Sequence, residues 1–569
     1  MCEFLTPYDL ARFLCVAKTE VPLAGTGVDW SEQDFSDNAP ERAESLAFQS
    51  GATLLGLYLG NTDFLSKPDK QVDVSRLRTL TLVGVPMHGA VDLSPLIECP
   101  QLRTLEITNF DGISNAHTLA ELKHLRHLKI FLMTGIKDLA MLRYCQDLES
   151  LQLEGLTGIT DLISVGALSH IKEISLDRCP SIKDLWPLAR CQEIEYVSIT
   201  KCDKLAGDAV AALAACAKLE KLDICDQRRA KGLDQLHALK NFEVFRSQDV
   251  QVSDDMQGLS QCSNMRHLYI NDCQKQLPNL KQLGVHNMKK LEILDLSGNR
   301  VTSLQPLAEA ENLQELWIQN VKGLKNLQGL ENCEELTEVH ANLAVSLTNI
   351  KALEGLENLT IVDISECSKI TNIAALGSCT SLEILNISET DVKDLKPLAG
   401  CSELFKFLCN RCERIETLAP LTPEALPKLA HIEAACPDLV DIGDLGRPTL
   451  RIVDLTGCAD LKNISGLEGS TDLHFLNLRD CANVRDLSVL YDLPSLRTLN
   501  IVDCSKIRRV PKELADKADK KKLKILGDPM KEPIQEGLAS GYTAYRDLQR
   551  ALPNSAPQLL GLCDMSELY

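Results

Sequence analysis

Between Leu54 and Ile501 one pattern returns some twenty times: an apolar residue, two variable, an apolar residue, one variable, an apolar residue. It reads Leu54-Leu57-Leu59, Leu77-Leu80-Leu82, Leu148-Leu151-Leu153, Ile171-Ile174-Leu176, and ends at Leu496-Leu499-Ile501. Ten of the nineteen intervals between successive starts are 23 residues, and the rest run from 20 to 26. A unit this small cannot bury its apolar side alone, so such units must stack on one another. Stability then sums along one dimension, and a chain of 569 residues need not split into conventional domains.

One unit, residues 171–193, shows how the pattern is used. Ile171, Ile174 and Leu176 point inward from a short strand, Cys179 closes the turn, and Ile182 and Leu185 fill the returning segment. Leu188 fills the far side, and Cys191 leads into the next strand. Pro187 stands in the far arm, as do Pro95, Pro306, Pro397 and Pro420, each before a leucine. Proline lacks a backbone donor and resists helix interiors, so these arms are expected to be 3-10 or single-turn. The longer arm at 205–220 has alanine and leucine at helical spacing and is expected to be more helical.

Twenty-two cysteines raise disulfides, metal and packing in turn. Sixteen fall in two slots of the repeat. Cys99, Cys145, Cys191, Cys216, Cys262, Cys333, Cys379 and Cys401 lie three residues before a strand motif. Cys179, Cys202, Cys273, Cys367, Cys412, Cys458, Cys481 and Cys504 lie three residues after its last apolar position. Such placement fits thiols packed as small hydrophobes with a weak donor. The single CxxC, Cys409 to Cys412, spans the third apolar slot and the turn slot, so a metal site is not expected there. Asp138, Asp184, Asp394 and Asp486 also recur with the period, which fits turn hydrogen bonding better than acid–base chemistry.

These residues resemble the leucine-rich repeat family. The resemblance covers most of the chain and is carried by LxxLxLxxC followed by a second apolar segment. Unit length and the Pro-Leu steps look like the short, internalin-like class; the cysteine slots look like the cysteine-containing class. The resemblance implies an α/β solenoid of about twenty repeats of ~23 residues, with a parallel sheet on its concave face and short 3-10 or helical convex segments. It also implies a non-catalytic scaffold that binds a protein partner on the concave face. The chain divides accordingly into a helical cap and linker over 1–53, the solenoid over 54–528, and a helical cap or tail over 529–569. The stretch FLTPYDLARFLCVAKTE near the N-terminus is similar to the second half of an F-box. That similarity implies an alternative role as a ubiquitin-ligase substrate receptor, with Leu5, Pro7, Leu10 and Phe13 meeting a Skp-type adaptor through residues 1–22.

Side chains alternate along a strand, so the variable positions form columns on the concave face. The middle column reads Asp223, Glu243, Tyr269, Asp295, Trp317, His340, Asp363. The column before it reads Asn241, His267, Ile293, Glu315, Glu338, Ile361, Ile384, and the one after includes Cys225, Phe245, Asn271, Ser297 and Gln319. Aromatic residues make up 4% of the chain, so their gathering here is informative. Tryptophan and tyrosine are enriched in interface hot spots. Phe245, His267, Tyr269, Ile293, Trp317 and His340 are the candidate partner surface, with Asp295, Glu315 and Glu338 as an acidic rim. Irregular spacing near 230–265 and 404–450 marks two expected breaks.

The net charge of −20 argues against a general nucleic-acid binder, which needs clustered positive charge. A basic run at 506–524 reads as a solvated helix face or a contact for an acidic partner. No phosphate-binding loop, nucleophile elbow, zinc-helix motif or dinucleotide fingerprint is found, so neither enzymatic activity nor a cofactor is expected. No apolar run reaches the ~18 residues of a membrane span. With no secretory leader at the N-terminus, the expected location is cytoplasmic, with a cytoskeletal or flagellar assembly permitted by the resemblance. The tail over 533–552 reads as an amphipathic helix, with Ile534, Leu538, Tyr545, Leu548 and Leu552 at helical spacing.

Overall fold

The computed structural model describes residues 56–59, 75, 77–84 and 89–527, apart from 207, 227–231, 250–258, 274–279 and 521. The F-box-like stretch, the N-terminal cap and linker, and the C-terminal tail all lie outside the described residues. From Gly56 to Asn271, and again from Ile293 to Leu526, each repeat contributes one short strand to the main sheet, and each strand pairs in parallel with the next. Many of the arms on the opposite side carry 3-10 turns, and Leu280–Leu283 is a single α-helical turn. The chain forms two compact units, the first closing at Leu291 and the second opening at Glu292, with Leu280 grouped with the second. Each is a leucine-rich repeat solenoid.

The three motif positions form the core. Leu80, Leu105, Leu128, Leu151, Ile174, Val197 and Leu222 lie side by side in register in the first unit, all buried. Leu294, Leu316, Val339, Val362 and Leu385 do the same in the second. Burying a side chain of this size contributes about 1.5–3 kcal/mol, and a repeat obtains that contribution only when its neighbours cover both its sides.

One repeat is read differently by the structure. The columns with Asn241, Glu243 and Phe245 take Leu239-Phe242-Val244 as the motif of the irregular stretch near 230–265, but the strand is Val244–Gln248, and Phe245 pairs with Leu222 on one side and Leu268 on the other. The motif is therefore Phe242-Phe245-Ser247, and both adjoining intervals become 23 residues. Phe245 is 0% exposed and packs against Phe242 at 6.3 Å between ring centroids. It belongs to the core and leaves the candidate partner surface. The outward residues of this strand are Val244, Arg246 and Gln248, replacing Asn241, Glu243 and Phe245. Two phenylalanines and a buried serine in slots otherwise held by leucine and isoleucine hid the register.

The strands have two lengths, and side chains account for part of the difference. Strands of the first unit after the opening one run five residues, as in Glu173–Asp177 and Tyr196–Thr200, except the three-residue strands at 90–92 and 112–114, which pair in a separate sheet. Those of the second unit run three, as in Ile361–Asp363 and Ile384–Asn386. In the second unit the middle outward residue is often Asp or Asn, and its side-chain oxygen accepts the N–H two residues on. Asp363 takes Ser365 N–H at 2.9 Å, Asn386 takes Ser388 at 3.1 Å, and Asp454 takes Thr456 at 2.9 Å. A local acceptor of this kind competes with the ladder and closes the strand early.

A left-handed residue then follows in repeat after repeat, including Arg178, Lys201, Asn320, Leu343, Glu366 and Asp480. Its N–H donates to the next repeat, as from Arg178 to the Thr200 carbonyl at 2.9 Å and from Glu366 to Ser388 at 2.7 Å. Cysteine thiols complete the cross-repeat bonding. Cys367 donates to the Ala341 carbonyl at 3.1 Å, Cys481 to Leu455 at 3.0 Å and Cys504 to Leu478 at 2.9 Å. The other slot behaves likewise, with Cys401 donating to Leu376 at 3.2 Å. Asn299 fills the turn slot of its repeat and donates to Leu296 at 2.8 Å.

Cys409 and Cys412 sit in the two slots their spacing assigns; the Cys412 thiol donates to the Ile387 carbonyl at 3.1 Å. The periodic aspartates accept arm N–H groups: Asp138 from Ala140 at 2.9 Å, Asp184 from Trp186 at 3.1 Å, Asp394 from Lys396 at 3.0 Å and Asp486 from Ser488 at 2.9 Å. The arm at 205–220 is a 3-10 helix over Ala209–Ala215, where a more regular helix was expected. It stacks between the 3-10 arms of the neighbouring repeats.

In the irregular repeats near 404–450, Leu404-Phe407-Cys409 and Leu429-Ile432-Ala434 keep register, with Phe407 paired to Ile432. The extra chain is held by buried Arg447, whose guanidinium donates to the carbonyls of Leu445 at 2.9 Å, Leu426 at 2.6 Å and Leu421. In the basic run, Lys512–Asp519 forms an α-helix that buries Leu514. Lys517 there donates to the Tyr491 carbonyl at 2.8 Å, so part of the run closes the last arm.

Phe245→Ala should cost about 3–5 kcal/mol, as expected for a phenylalanine removed from a core, whereas Glu243→Ala should cost within about 0.5 kcal/mol. Urea unfolding of the two variants checks the register; equal midpoints would contradict it. Burial pushes the thiols of Cys145, Cys216 and Cys367 up to about 12. Peptide mapping after maleimide treatment should find these three cysteines unlabelled in the native protein and labelled in denaturant. Rapid native labelling at Cys367 would contradict the packing.

Candidate functional site

The outward columns can now be placed strand by strand. In the first unit, Asp223, Arg246 and Tyr269 are neighbours in the middle column. The Arg246 guanidinium lies 4.5 Å from the Tyr269 ring centroid and 3.4 Å from the Asp223 carboxylate. Asp223 also accepts the Tyr196 hydroxyl at 2.7 Å. Burial, with Asp223 beside it, pushes that phenol up to about 12. His267 meets Tyr269 edge-on at 6.4 Å. Tyr196, Tyr269 and His267 are therefore tied into a network made by the chain itself.

In the second unit, Asp295, Trp317, His340 and Asp363 follow one another in the middle column. Trp317 and His340 stack at 3.7 Å with 17° between their planes. The indole N–H donates to Glu315 at 3.2 Å, and the His340 Nε2 bonds Glu338 at 3.0 Å. Asp295 accepts the Ser297 N–H at 2.9 Å. Ile293, Asp295, Glu315, Trp317 and Glu338 are half-buried on the outward face. His340, expected at the surface, is only 1% exposed. The indole covers it, so it acts as the floor of the cluster. Its Nδ1 has no hydrogen-bond partner among the described residues.

Of the nine candidates, the structure joins Glu315, Trp317, Glu338 and His340 by direct contacts, with Ile293 and Asp295 on the adjacent strand. It joins His267 to Tyr269 in the other unit. It moves Phe245 into the core.

Three residues escaped the sequence reading. Leu343 and Val345, 38% and 44% exposed, follow the strand Glu338–His340. Leu343 occupies the left-handed position, where most repeats carry a polar residue or glycine, and that exception was a readable sign. His431 occupies an outward column yet is 0% exposed, and its Nε2 bonds Glu433 at 2.8 Å. Nothing in the repeat distinguishes it. Among the described residues, no group of three or more histidine, cysteine or acidic side chains could hold a metal ion, and no helix is long and apolar enough to cross a membrane.

The fold and its repeated slots define a class. Residues 289–332 match the family model described as leucine rich repeats, in two copies. The chain has the leucine-rich repeat fold. Among solved structures, that of a TLR13–ssRNA13 complex is 15% identical, with 75% of this chain and 64% of that chain covered and a TM-score of 0.54. An internalin (InlF) from Listeria monocytogenes is 17% identical over 60% of this chain and 91% of its own, at a TM-score of 0.44. The leucine-rich repeat protein LIC12759 of Leptospira interrogans is 17% identical over 80% and 96%, also at 0.44. No curated protein matches the chain. The likeness to the first of these is one of fold alone.

Burial holds the His431 imidazole below the usual histidine range, against the opposing pull of Glu433. In the unfolded chain the same group titrates near ~6.5. As pH falls below that value the unfolded state takes up a proton first, so stability is lost down to the lowered folded value. His431→Gln should flatten the fall in urea midpoint between pH 7.5 and 5.5; identical slopes in wild type and variant would contradict the assignment.

Proposed function

We propose that the chain is a non-catalytic scaffold that binds a protein partner on the outward face of its parallel sheet, with the Trp317 cluster as an anchor. The observation that carries this reading is Trp317 itself. A large aromatic is held in one orientation by the His340 stack and the Glu315 hydrogen bond, yet stays half-buried. A fixed, partly exposed indole loses little side-chain freedom on binding, which is what an interface anchor requires. Leu343 and Val345 add apolar surface beside it. The periodic cysteines and aspartates are consumed by the fold, so the functional freedom of the chain lies in its outward columns.

The fold serves protein and peptide recognition in many leucine-rich repeat proteins, and the acidic balance of the chain fits a partner that is not nucleic acid. A cytoplasmic location, within a larger assembly, belongs to the same proposal. Trp317→Ala should leave the circular dichroism spectrum and melting curve close to wild type. It should weaken the main partner by about 2 kcal/mol or more, the size of a hot-spot truncation. Affinity capture with wild type and variant in parallel checks this; an unchanged set of captured proteins would contradict it.

A further inference from the structure

The fold absorbs only part of the basic run at the end of the second unit. Residues 497–527 hold ten lysines and arginines against four acidic residues, in a chain that carries 60 against 80. Lys517 is spent on the last arm. Another member of the run continues a row begun in the two preceding repeats. Val453, Leu476 and Leu499 are neighbours in register, and nine residues after them stand Lys462, Arg485 and Arg508. Each follows a buried residue of the returning segment, Leu461, Val484 or Ile507, and is itself exposed. The row is therefore continuous over three repeats.

The last repeat then departs from the pattern of its predecessors. At the next position Asn463 and Asp486 accept arm N–H groups, from Ser465 at 2.8 Å and Ser488 at 2.9 Å. Arg509 takes that place in the last repeat, and Lys512 opens the α-helix that follows; both are exposed. None of these five cationic side chains makes an ion pair or hydrogen bond among the described residues. Returning segments earlier in the same unit neutralise their cations across repeats, Lys393 with Glu416 at 2.7 Å and Arg414 with Asp391 at 3.1 Å. The last three repeats leave theirs uncompensated.

We infer that Lys462, Arg485, Arg508, Arg509 and Lys512 form a second interaction surface, which takes an extended, carboxylate-rich segment of a protein partner laid across the last three repeats. Arginine bonds a carboxylate with two parallel N–H groups, which gives such a surface geometry as well as charge. Neighbouring strands lie ~4.8 Å apart, so on the sheet side three repeats span about 10 Å, the reach of a few extended residues. A short acidic segment matches that length. A nucleic acid would carry its phosphates beyond the row and over a chain of net charge −20.

The test uses the full chain with fluorescein-labelled octaglutamate, octaglutamine and octathymidylate. Anisotropy is read at low ionic strength, where surface charges are least screened. Octaglutamate should bind and octaglutamine should not. Arg485→Gln combined with Arg508→Gln should weaken octaglutamate at least fivefold, with the melting temperature unchanged because both side chains are exposed. Lys137→Gln combined with Lys183→Gln, the equivalent position in two repeats of the first unit, should change it less than twofold. No binding of octaglutamate, or equal weakening by the two double variants, would overturn the inference. Tighter binding of octathymidylate than of octaglutamate would overturn it in favour of a nucleic acid.

Discussion

Each repeat is stable only because the next one accepts its backbone groups and covers its apolar side. That dependence shows at three levels. Strand carbonyls and N–H groups pair in register between neighbours. The left-handed residue after the strand donates to the following repeat, and the turn-slot thiols donate back to the preceding one. Left-handed geometry costs a non-glycine residue about 1–2 kcal/mol, and it persists at Leu343 and Glu366 because the cross-repeat bonds require it. A thiol is a weak donor, but a buried carbonyl without a partner costs about 1–3 kcal/mol, so the cysteine slots do more than fill space.

The same constraint decides where function can reside. Inward positions are bound to apolar residues, turn slots to small donors, and arm starts to Asp, Asn or Ser. Only the outward columns escape. In the second unit part of even that freedom is used, since Asp363, Asn386 and Asp454 close their strands with side-chain oxygens. Trp317 and His340 interrupt this run of Asp and Asn. Among the described residues of the second unit, the middle column there carries a half-buried aromatic between acidic neighbours.

Much of this was legible in the sequence. The period gave the strands, the core positions, the cysteine slots and the periodic aspartates, because each follows from a fixed offset within the unit. Two things were not legible. The register at Phe242-Phe245-Ser247 was obscured because two aromatic residues offered competing apolar triplets, and only pairing to Leu222 and Leu268 separates them. The state of the outward histidines was also hidden. His340 and His431 stand in columns that alternation assigns to the surface, yet one lies under an indole and the other is fully enclosed. Alternation sets the direction of a side chain and leaves its covering to residues on other strands.

The register underlies every column assignment, so the most direct measurement reads side-chain exposure along the native chain. Hydroxyl-radical footprinting with peptide-level mass spectrometry would follow the oxidation of Trp317, Tyr269, Phe242 and Phe245. Rapid oxidation of Trp317, with Phe242 and Phe245 oxidised only after unfolding, is the result expected from this structure. Native oxidation of Phe245 at a rate like that of Trp317, or protection of Trp317 in the isolated protein, would contradict it.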